Sequence, residues 1–381
     1  MTSKAKRGSE NQPKPPDRQY LPETAEPAEN LDLPDSSGPR RYIQLETAAS
    51  IDPAESLANV RPLPAAAPRA GSVVHDAMTE HAREASYQIG ERLARGAESV
   101  LYRTAGNGAA FCVKVIRNWL GRTIGDAATR GHEGKLDAAY HSKVRHLRNE
   151  YEVGQQLQEP GDIPIVRIYA LRKVRRLGIE VGYDLLMELI EGDDLGSKQA
   201  LRQYGLPEKV SFFYQAAKAL DYMHQRNFIH LDIKPSNIMI DKNRVKLIDF
   251  GVTVPLGHKP RSVTGTAGYL SPEQIARDIL NQATDIFALG VAFQVIFGGS
   301  PLRQDPADLK RQEFRANARF MLETDEAPIV RSVPELKDLP ELADLIRQCT
   351  IPRRDKRIGN AAELAEAIRR AAEAAGLTVR A

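Results

Sequence analysis

Residues 230–237 have the sequence HLDIKPSN, and residues 246–251 have the sequence KLIDFG. Within them, Asp232 lies five residues before Asn237 in a polar loop, and Asp249 follows an apolar run, so these three polar groups can converge on one site. Mg²⁺ prefers oxygen ligands and keeps several waters, so one carboxylate and one amide suffice when nucleotide phosphates complete its coordination. The pattern therefore predicts a phosphoryl-transfer site, where positioning and charge neutralisation supply most of the catalysis.

This chemistry gives each polar side chain a separate role. Asp249 and Asn237 are the candidate Mg²⁺ ligands. Asp232 is then free to orient a substrate hydroxyl and to accept its proton. Lys234 supports the transferring phosphoryl group as a mobile point charge.

The two stretches resemble the catalytic loop H-R-D-L-x-x-x-N and the metal-binding D-F-G of the eukaryotic-type (Hanks-type) serine/threonine protein kinases. The resemblance implies an α+β, bilobal fold, with a small antiparallel β N-lobe that carries one regulatory helix and a larger, mainly α-helical C-lobe. It implies ATP and Mg²⁺ as cofactors and a protein with a Ser/Thr acceptor as the partner. Lys234 followed by Pro235 is typical of the serine/threonine kinases. Leu231 replaces the family arginine, which removes the cation that usually receives an activation-segment phosphate.

The N-terminal part of the domain fits the same resemblance. Residues 87–102 occupy the position of the glycine-rich phosphate loop, and only Gly96 of its glycines is kept, so this loop should be stiffer than usual. Lys114 lies in an alternating, half-buried strand pattern and matches the lysine that holds the α- and β-phosphates. A glutamate of the next helix must pair with that lysine. Glu150 is the first candidate and Glu152 the second, with a solvated surface glutamate as the alternative for both.

The resemblance also assigns residues around the nucleotide base. Met187 matches the residue that guards the back of the adenine pocket, and a plain buried strand residue is the alternative. Backbone groups from Glu188 to Ile190 are expected to meet the edge of the adenine ring.

Further residues match structural or regulatory positions of the family. The structural ones are Thr266, which would hold Asp232 and Lys234; Asp285, which would brace the catalytic loop; and Glu273 with Arg357, which would form an ion pair. Ser262 and Thr264 are candidate autophosphorylation sites in the segment 249–273, which resembles the activation segment of the family. A chance Ser/Thr-rich loop is the alternative for these two.

Composition divides the chain into a tail and one domain. Residues 1–75 hold eleven of the 24 prolines and few aromatic residues, so we expect a disordered Pro/Ala-rich tail that cannot bury a core. Residues 40–51 are a candidate docking element within this tail, and an inert solvated tail is the alternative. The kinase-like domain is expected over residues 82–375, with the N-lobe over about 82–188 and the C-lobe over about 189–375.

A basic insertion separates the lysine strand from the next helix, which is predicted over residues 146–153. Residues 117–145 contain six Lys or Arg against three acids. Because this insertion would lie beside the regulatory helix of the fold, it is a candidate docking or control element for a partner, and a plain flexible insertion is the alternative.

Global properties exclude several classes of protein. A net charge of +3 with 27% charged residues gives no case for a nucleic-acid partner. The chain has no apolar run of about 18 residues or more, so no integral membrane segment is expected. Cys112 and Cys349 are far apart in the sequence and suggest neither a disulfide framework nor a zinc site, which favours a reducing, cytoplasmic location.

Two other functions stay open on the sequence alone. A small-molecule kinase shares the H-x-D-x-x-x-x-N spacing, but Lys234 and residues 265–273, which resemble the G-T-x-x-Y-x-A-P-E motif, favour a surface that docks peptides. A nucleotide-binding pseudokinase scaffold would fit the poor glycine loop and Leu231, although all core catalytic groups are present. We therefore expect a serine/threonine protein kinase that transfers the γ-phosphoryl group of ATP to protein hydroxyls, with autophosphorylation.

Overall fold

The computed structural model describes part of the chain, namely residues 45–47, 88–95, 99–106, 109–118, 133–324, 328–330 and 333–380. Every described residue belongs to one compact unit, Tyr42–Ala381. The predicted disordered tail therefore lies outside the described residues, apart from 45–47. Gly96 of the predicted phosphate loop also lies outside them.

The N-terminal lobe is built on one antiparallel sheet of six strands, in the order β1-β5-β6-β4-β3-β2. The strands are β1 (Leu45–Thr47), β2 (Gln88–Arg95), β3 (Val100–Gly106), β4 (Ala109–Arg117), β5 (Ile168–Arg176) and β6 (Ile179–Glu188). Strand β1 comes from the predicted tail and pairs with the outer edge of β5. The antiparallel sheet agrees with the expected N-lobe.

Strand β4, which carries Lys114, is covered on both faces. Phe111, Val113 and Val115 belong to one apolar cluster, whereas Cys112 and Ile116 belong to the main core. The expectation of a half-buried strand was therefore wrong, because the alternate residues face a second apolar layer instead of solvent.

Helix α1 (Glu133–Leu157) is the helix of the N-terminal lobe and packs against β4, β5 and β6. It begins well before the predicted residues 146–153. Part of the predicted insertion is therefore helical, and residues 119–132 lie outside the described part of the chain. Val144, Leu147 and Val153 on one face of α1 join the main core.

The C-terminal lobe is mainly helical, as expected. Its helices are α2 (Lys198–Leu201), α3 (Leu206–His224), α4 (Pro272–Ala276), α5 (Gln282–Ile296), α6 (Gln312–Glu323), α7 (Pro340–Cys349) and α8 (Ala361–Ala374). Helices α3 and α5 form its centre, where the rings of Phe213 and Phe293 stack at a centroid distance of 4.6 Å. This stacking joins the two central helices, which support the loops that pack on them.

Short strands shape the region between the two lobes. They are β7 (Asp193–Asp194), β8 (Phe228–Ile229), β9 (Ile238–Asp241), β10 (Arg244–Leu247) and β11 (Val254–Pro255). Strands β10, β9 and β7 form one sheet, and β11 pairs with β8. Residues 230–237 directly follow β8, and residues 246–251 begin with the last two residues of β10. This small framework therefore places both stretches at the junction of the lobes.

Among the helices of the described residues, none combines the length and the apolar character needed to cross a membrane.

Candidate active site

The loop that carries Asp232 is fastened to helix α5 by Asp285. This fully buried carboxylate accepts hydrogen bonds from the backbone N–H of His230 at 2.8 Å and of Leu231 at 2.9 Å, and it lies 2.9 Å from His224 Nε2. Leu231 has a φ of 67°, a conformation that L-residues adopt at some cost. The two backbone contacts hold the loop in that conformation, as expected for the bracing position assigned to Asp285.

Asp232 lies at the centre of a polar network. Its carboxylate accepts hydrogen bonds from Thr266 Oγ1 at 2.6 Å, from Lys234 Nζ at 2.7 Å and from Asn237 Nδ2 at 3.2 Å. Thr266 Oγ1 also accepts a hydrogen bond from Lys234 Nζ at 2.7 Å. The structure therefore brings together four side chains that the sequence predicted to share one site.

Lys114 bridges two carboxylates across the lobes. Its Nζ lies 2.7 Å from Glu150 Oε2 on α1 and 2.9 Å from Asp249 Oδ1 after β10. Glu150, rather than the second candidate Glu152, is the helix partner of the lysine. The Glu150 side chain is 2% exposed and the Asp249 side chain 41%, so one carboxylate is committed to the lysine and the other also faces the cleft.

Burial and charge shift the ionisation of this trio in different directions. Burial raises the pKa of Glu150 to about 7, against the opposing charge of Lys114. Burial also opposes ionisation of Asp249, but the charge and hydrogen bond of Lys114 outweigh it and hold the pKa of Asp249 at about 2. For Lys114, burial alone would lower the pKa, and the two carboxylates reverse this effect and raise it. Lys114 and Asp249 are therefore charged at neutral pH, and Glu150 titrates there.

Two oxygen atoms stay available for a cation between the predicted ligands. Asn237 Nδ2 is engaged by Asp232, and Asp249 Oδ1 by Lys114, but Asn237 Oδ1 and Asp249 Oδ2 accept no hydrogen bond from any described residue. The N–H of Ile248 donates to the carbonyl of Asn237 at 3.1 Å, which keeps the two ligand-bearing segments adjacent. One amide oxygen and one carboxylate oxygen are ligands that suit Mg²⁺, which leaves room for phosphate oxygens and waters. Across the described residues there is no group of three or more His, Cys, Asp or Glu that could hold a metal by itself.

The end of β6 matches the predicted edge of the adenine pocket in part. Met187 is buried and belongs to the main core, which fits both interpretations of this residue. The N–H of Glu188 donates to the carbonyl of Arg167, and its carboxylate accepts from Lys246 Nζ at 2.6 Å, so neither group is free. The N–H and carbonyl of Ile190 form no hydrogen bond with any described residue.

A buried ion pair fixes the far end of the activation segment. Arg357 lies 2.8 Å from Glu273 Oε1 and 3.3 Å from Oε2, and both side chains are fully buried. The Thr284 hydroxyl donates to the same carboxylate, and the remaining guanidinium donors bond to backbone carbonyls. This is the pair expected from the sequence.

The two candidate phosphorylation sites differ in accessibility. Ser262 is exposed, whereas Thr264 is half-buried, and its hydroxyl donates to the carbonyl of Ser262 at 3.3 Å. Leu231, which replaces the family arginine beneath this segment, is buried with Ile229 and Leu280 in a small apolar cluster.

Asn149, which no sequence pattern indicated, joins α1 to the segment after Asp249. Its Nδ2 lies 3.0 Å from the carbonyl oxygen of Phe250, 3.2 Å from that of Gly251 and 2.9 Å from that of Thr253. The backbones are also close, because a Cβ at Gly251 would lie 3.3 Å from His146 Cβ. The helix that supplies Glu150 is thus tied to the loop that supplies Asp249.

Two glutamines were missed as well. Gln274 Nε2 donates to the carbonyls of Leu231 and Thr264, both at 3.0 Å, and thereby joins the catalytic loop to the activation segment. Gln304 bonds to the N–H of Gly268 and to the carbonyl of Leu270, both at 2.8 Å. Gln274 is also the last residue of the capping box Ser271-Pro272-Glu273-Gln274, a sequence signal for the start of α4 that does not indicate the bonds to Leu231 and Thr264. Gln304 belongs to no such motif.

Comparison with known proteins agrees with this geometry. The family described as "Protein kinase domain" matches residues 87–368. An Aurora kinase of Eremothecium gossypii is 31% identical over 246 residues, which are 63% of this chain and 60% of that protein. Serine/threonine-protein kinase PknB of Mycolicibacterium smegmatis is 34% identical over 164 residues, which are 41% of this chain and 25% of that protein.

Serine/threonine-protein kinase D2 of Homo sapiens is 33% identical over 184 residues, covering 46% of this chain and 20% of that protein. The matched regions thus span at most 60% of the length of these relatives. ATP and Mg²⁺ are the cofactors that protein kinases use. The family match covers most of the chain, and the residues of its motifs meet in one cleft. The chain belongs to the protein kinase family.

Proposed function

We propose that this protein transfers the γ-phosphoryl group of ATP to serine or threonine hydroxyls of proteins. The observation that carries the proposal is the contact of Thr266 with both Asp232 and Lys234. Thr266 belongs to the segment that ends at Glu273, so the group proposed to take the hydroxyl proton is held by the segment proposed to dock the acceptor. A small-molecule kinase would not need this connection.

The residues around Asp232 divide the reaction between them. Asp232 orients the acceptor hydroxyl and accepts its proton, and Thr266 and Asn237 fix its carboxylate. Lys234 stabilises the negative charge that develops on the transferring group. These residues position the acceptor hydroxyl and neutralise the charge on the transferring group, which is most of what phosphoryl transfer requires from a protein.

Lys114, Glu150, Asn237 and Asp249 are proposed to bind the phosphates of the nucleotide and its Mg²⁺. Lys114 holds the α- and β-phosphates, and Glu150 fixes the lysine in one geometry. Asn237 and Asp249 would hold Mg²⁺ through the two oxygen atoms that accept no other hydrogen bond. When bound, Mg²⁺ neutralises charge on the phosphates.

The adenine ring is proposed to lie against the end of β6. Met187 would close the back of its pocket. The unpaired backbone groups of Ile190 support a role in bonding to the adenine edge, and the engaged N–H of Glu188 leaves only its carbonyl for the same purpose. Gly96 is proposed to cover the phosphates.

Regulation by autophosphorylation is proposed at Ser262 and, less directly, at Thr264. The exposure of Ser262 supports this site, and the hydroxyl contact of Thr264 places it second. Because Leu231 supplies no cation, a phosphate here would not be needed to order the catalytic loop.

The domain is proposed to span residues 82–375, with docking partners for the tail 1–75 and for the 117–145 segment. The cytoplasm is the proposed location, and the two buried, unpaired cysteines support a reducing compartment.

Transfer of label from γ-labelled ATP tests the proposal. Purified protein, Mg²⁺ and a generic protein acceptor should give labelled Ser or Thr, and Asp232→Asn and Lys114→Met should each abolish it. Lys218→Met, which alters an exposed lysine on α3, is the matched control and should keep full activity. Saturable ATP binding without labelled protein would favour the scaffold or a small-molecule acceptor, and label that persists in Asp232→Asn would contradict the role of this residue.

A further inference from the structure

Two loop segments next to Asp232 form one surface. Residues 257–269 and 299–304, which we call the acceptor platform, are joined because the N–H of Leu302 donates to the carbonyl of Gly268 at 3.0 Å. Gln304 bonds to the N–H of the same Gly268 at 2.8 Å. Thr266, two residues away, contacts Asp232. An acceptor chain whose hydroxyl reaches Asp232 must therefore pass over or beside this platform.

The charge of the acceptor platform has one sign. Its sequences, GHKPRSVTGTAGY and GSPLRQ, contain the cations Lys259, Arg261 and Arg303 and no acid. All three side chains are exposed. None of them forms an ion pair with a residue in the described part of the chain, whereas Arg311, Arg354 and Arg357 of the same lobe each pair with an acid. The platform therefore presents positive charge without compensation from its own surface.

The acids that border the platform in the sequence are already engaged. Glu273 is buried against Arg357, and Asp278 pairs with Arg354 at 2.8 Å. Asp305 accepts a hydrogen bond from the N–H of Ala307 at 2.7 Å, and Asp308 pairs with Arg311 at 3.1 Å. None of these four acids forms an ion pair with Lys259, Arg261 or Arg303, so the three cations are left for an external partner.

We propose that the acceptor proteins carry Asp or Glu close to the phosphorylated hydroxyl, and that Arg303 is a main determinant of this preference. The inference rests on the proposed function and specifies its substrate class. Arg303 stands between Leu302 and Gln304, the two residues that bond to Gly268, so the backbone that carries this cation is fixed to the segment that contains Thr266. A fixed loop makes the position of an exposed charge more useful for selection, because less conformational entropy is lost on binding.

Peptide kinetics test the inference. Three peptides of equal length carry one serine flanked by alanines, by glutamates or by lysines, and kcat/KM is measured for each. We expect the glutamate peptide to exceed the alanine peptide by about 1.4- to fivefold per well-placed charge, as for exposed ion pairs. The preference should weaken between 0.05 and 0.5 M salt because ions screen exposed charges.

Charge reversal assigns the preference to the platform. Arg303→Glu should lose the preference for the glutamate peptide and gain one for the lysine peptide. Lys218→Glu makes the same change of charge on the exposed face of α3 and should keep the wild-type order of the three peptides.

The outcomes separate this inference from the proposed function. Equal phosphorylation of all three peptides by the wild type would overturn the acidic preference and leave the kinase activity intact. An acidic preference that survives in Arg303→Glu, or that Lys218→Glu reduces equally, would overturn the assignment to Arg303. Absence of phosphorylation on every peptide and on the generic protein acceptor would count against the proposed function itself.

Discussion

Lys114 Nζ lies 2.7 Å from Glu150 Oε2, and this ion pair joins β4 to α1 behind the candidate nucleotide site. The glutamate is buried, and its pKa is raised to about 7. The negative charge of Glu150, and with it the ion pair to Lys114, is therefore present above neutral pH and is lost as the pH falls.

This relationship predicts a pH dependence of nucleotide use. Because kcat/KM for ATP reports ionisation in the free enzyme, we expect it to fall below about pH 7 as Glu150 takes up one proton. The profile should be measured at a fixed concentration of the Mg²⁺–ATP complex. Glu150→Gln should show a low value without this acidic limb, and Glu152→Gln should keep the wild-type profile. A wild-type profile that is flat from pH 6 to 8 would contradict the role of Glu150.

Asn149 is expected to act as a positioning residue. Asn149→Ala removes a donor shared by three carbonyls, a loss of about 1 kcal/mol for an ordinary hydrogen bond, so kcat/KM for ATP should fall several-fold. Asn149→Asp places a carboxylate against the carbonyls and should lower it further. The concentration of Mg²⁺ for half-maximal activity should rise in both variants because Asp249 is less well placed, and a merely structural role would not move this value. Asn317→Ala on the exposed side of α6 is the control.

Leu231 should resist replacement by the family arginine. Its side chain is 3% exposed among apolar neighbours, so Leu231→Arg buries a charge without a partner and should destabilise the domain by several kcal/mol. Leu231→Met preserves size and apolar character and should cost about 1 kcal/mol or less. Chemical denaturation measures both values. Equal stability of the arginine variant and the wild type would show that the apolar cluster around Leu231 opens to solvent.

Breaking the ion pair of Glu273 and Arg357 should destabilise the protein, chiefly because one buried charge is left without its partner. Glu273→Gln leaves a buried guanidinium without its counter-charge, and breaking such a pair costs about 3–5 kcal/mol. Thermal unfolding should show a clear drop in Tm. Lys337→Ala, at a side chain that is 78% exposed, should leave Tm unchanged. A Tm of the Glu273→Gln variant close to that of the wild type would mean that solvent reaches the pair.

Both cysteines should be unreactive in the folded protein. Burial raises the pKa of Cys112 and of Cys349 to about 12, so almost no thiolate exists at pH 8. A thiol reagent should label neither residue in the native state and both after unfolding in denaturant. Rapid labelling of Cys112 in the native protein would indicate that β4 separates from α1.

The candidate catalytic groups could be predicted from the sequence because each belongs to a motif with fixed spacing. Lys114, Glu150, Asp232 and Asn237 are brought together as expected, and α3 follows from its apolar period. The early start of α1 was missed even though Tyr140, Val144 and Leu147 recur at helical spacing, because the surrounding residues are polar and small. Asn149, Gln274 and Gln304 could not be predicted, since their partners are backbone groups of loops that are distant in the sequence.

The close approach of Gly251 to His146 links the position of α1 to the occupancy of the candidate nucleotide site. The helix cannot move outward without breaking the hydrogen bonds that Asn149 donates to the carbonyls of the loop that follows Asp249. Thermodynamic linkage is reciprocal, so any partner that binds the exposed face of α1 and favours one position must change the affinity for nucleotide by the same factor that nucleotide changes the affinity for the partner. Such a partner would report on the occupancy of the cleft without touching the nucleotide.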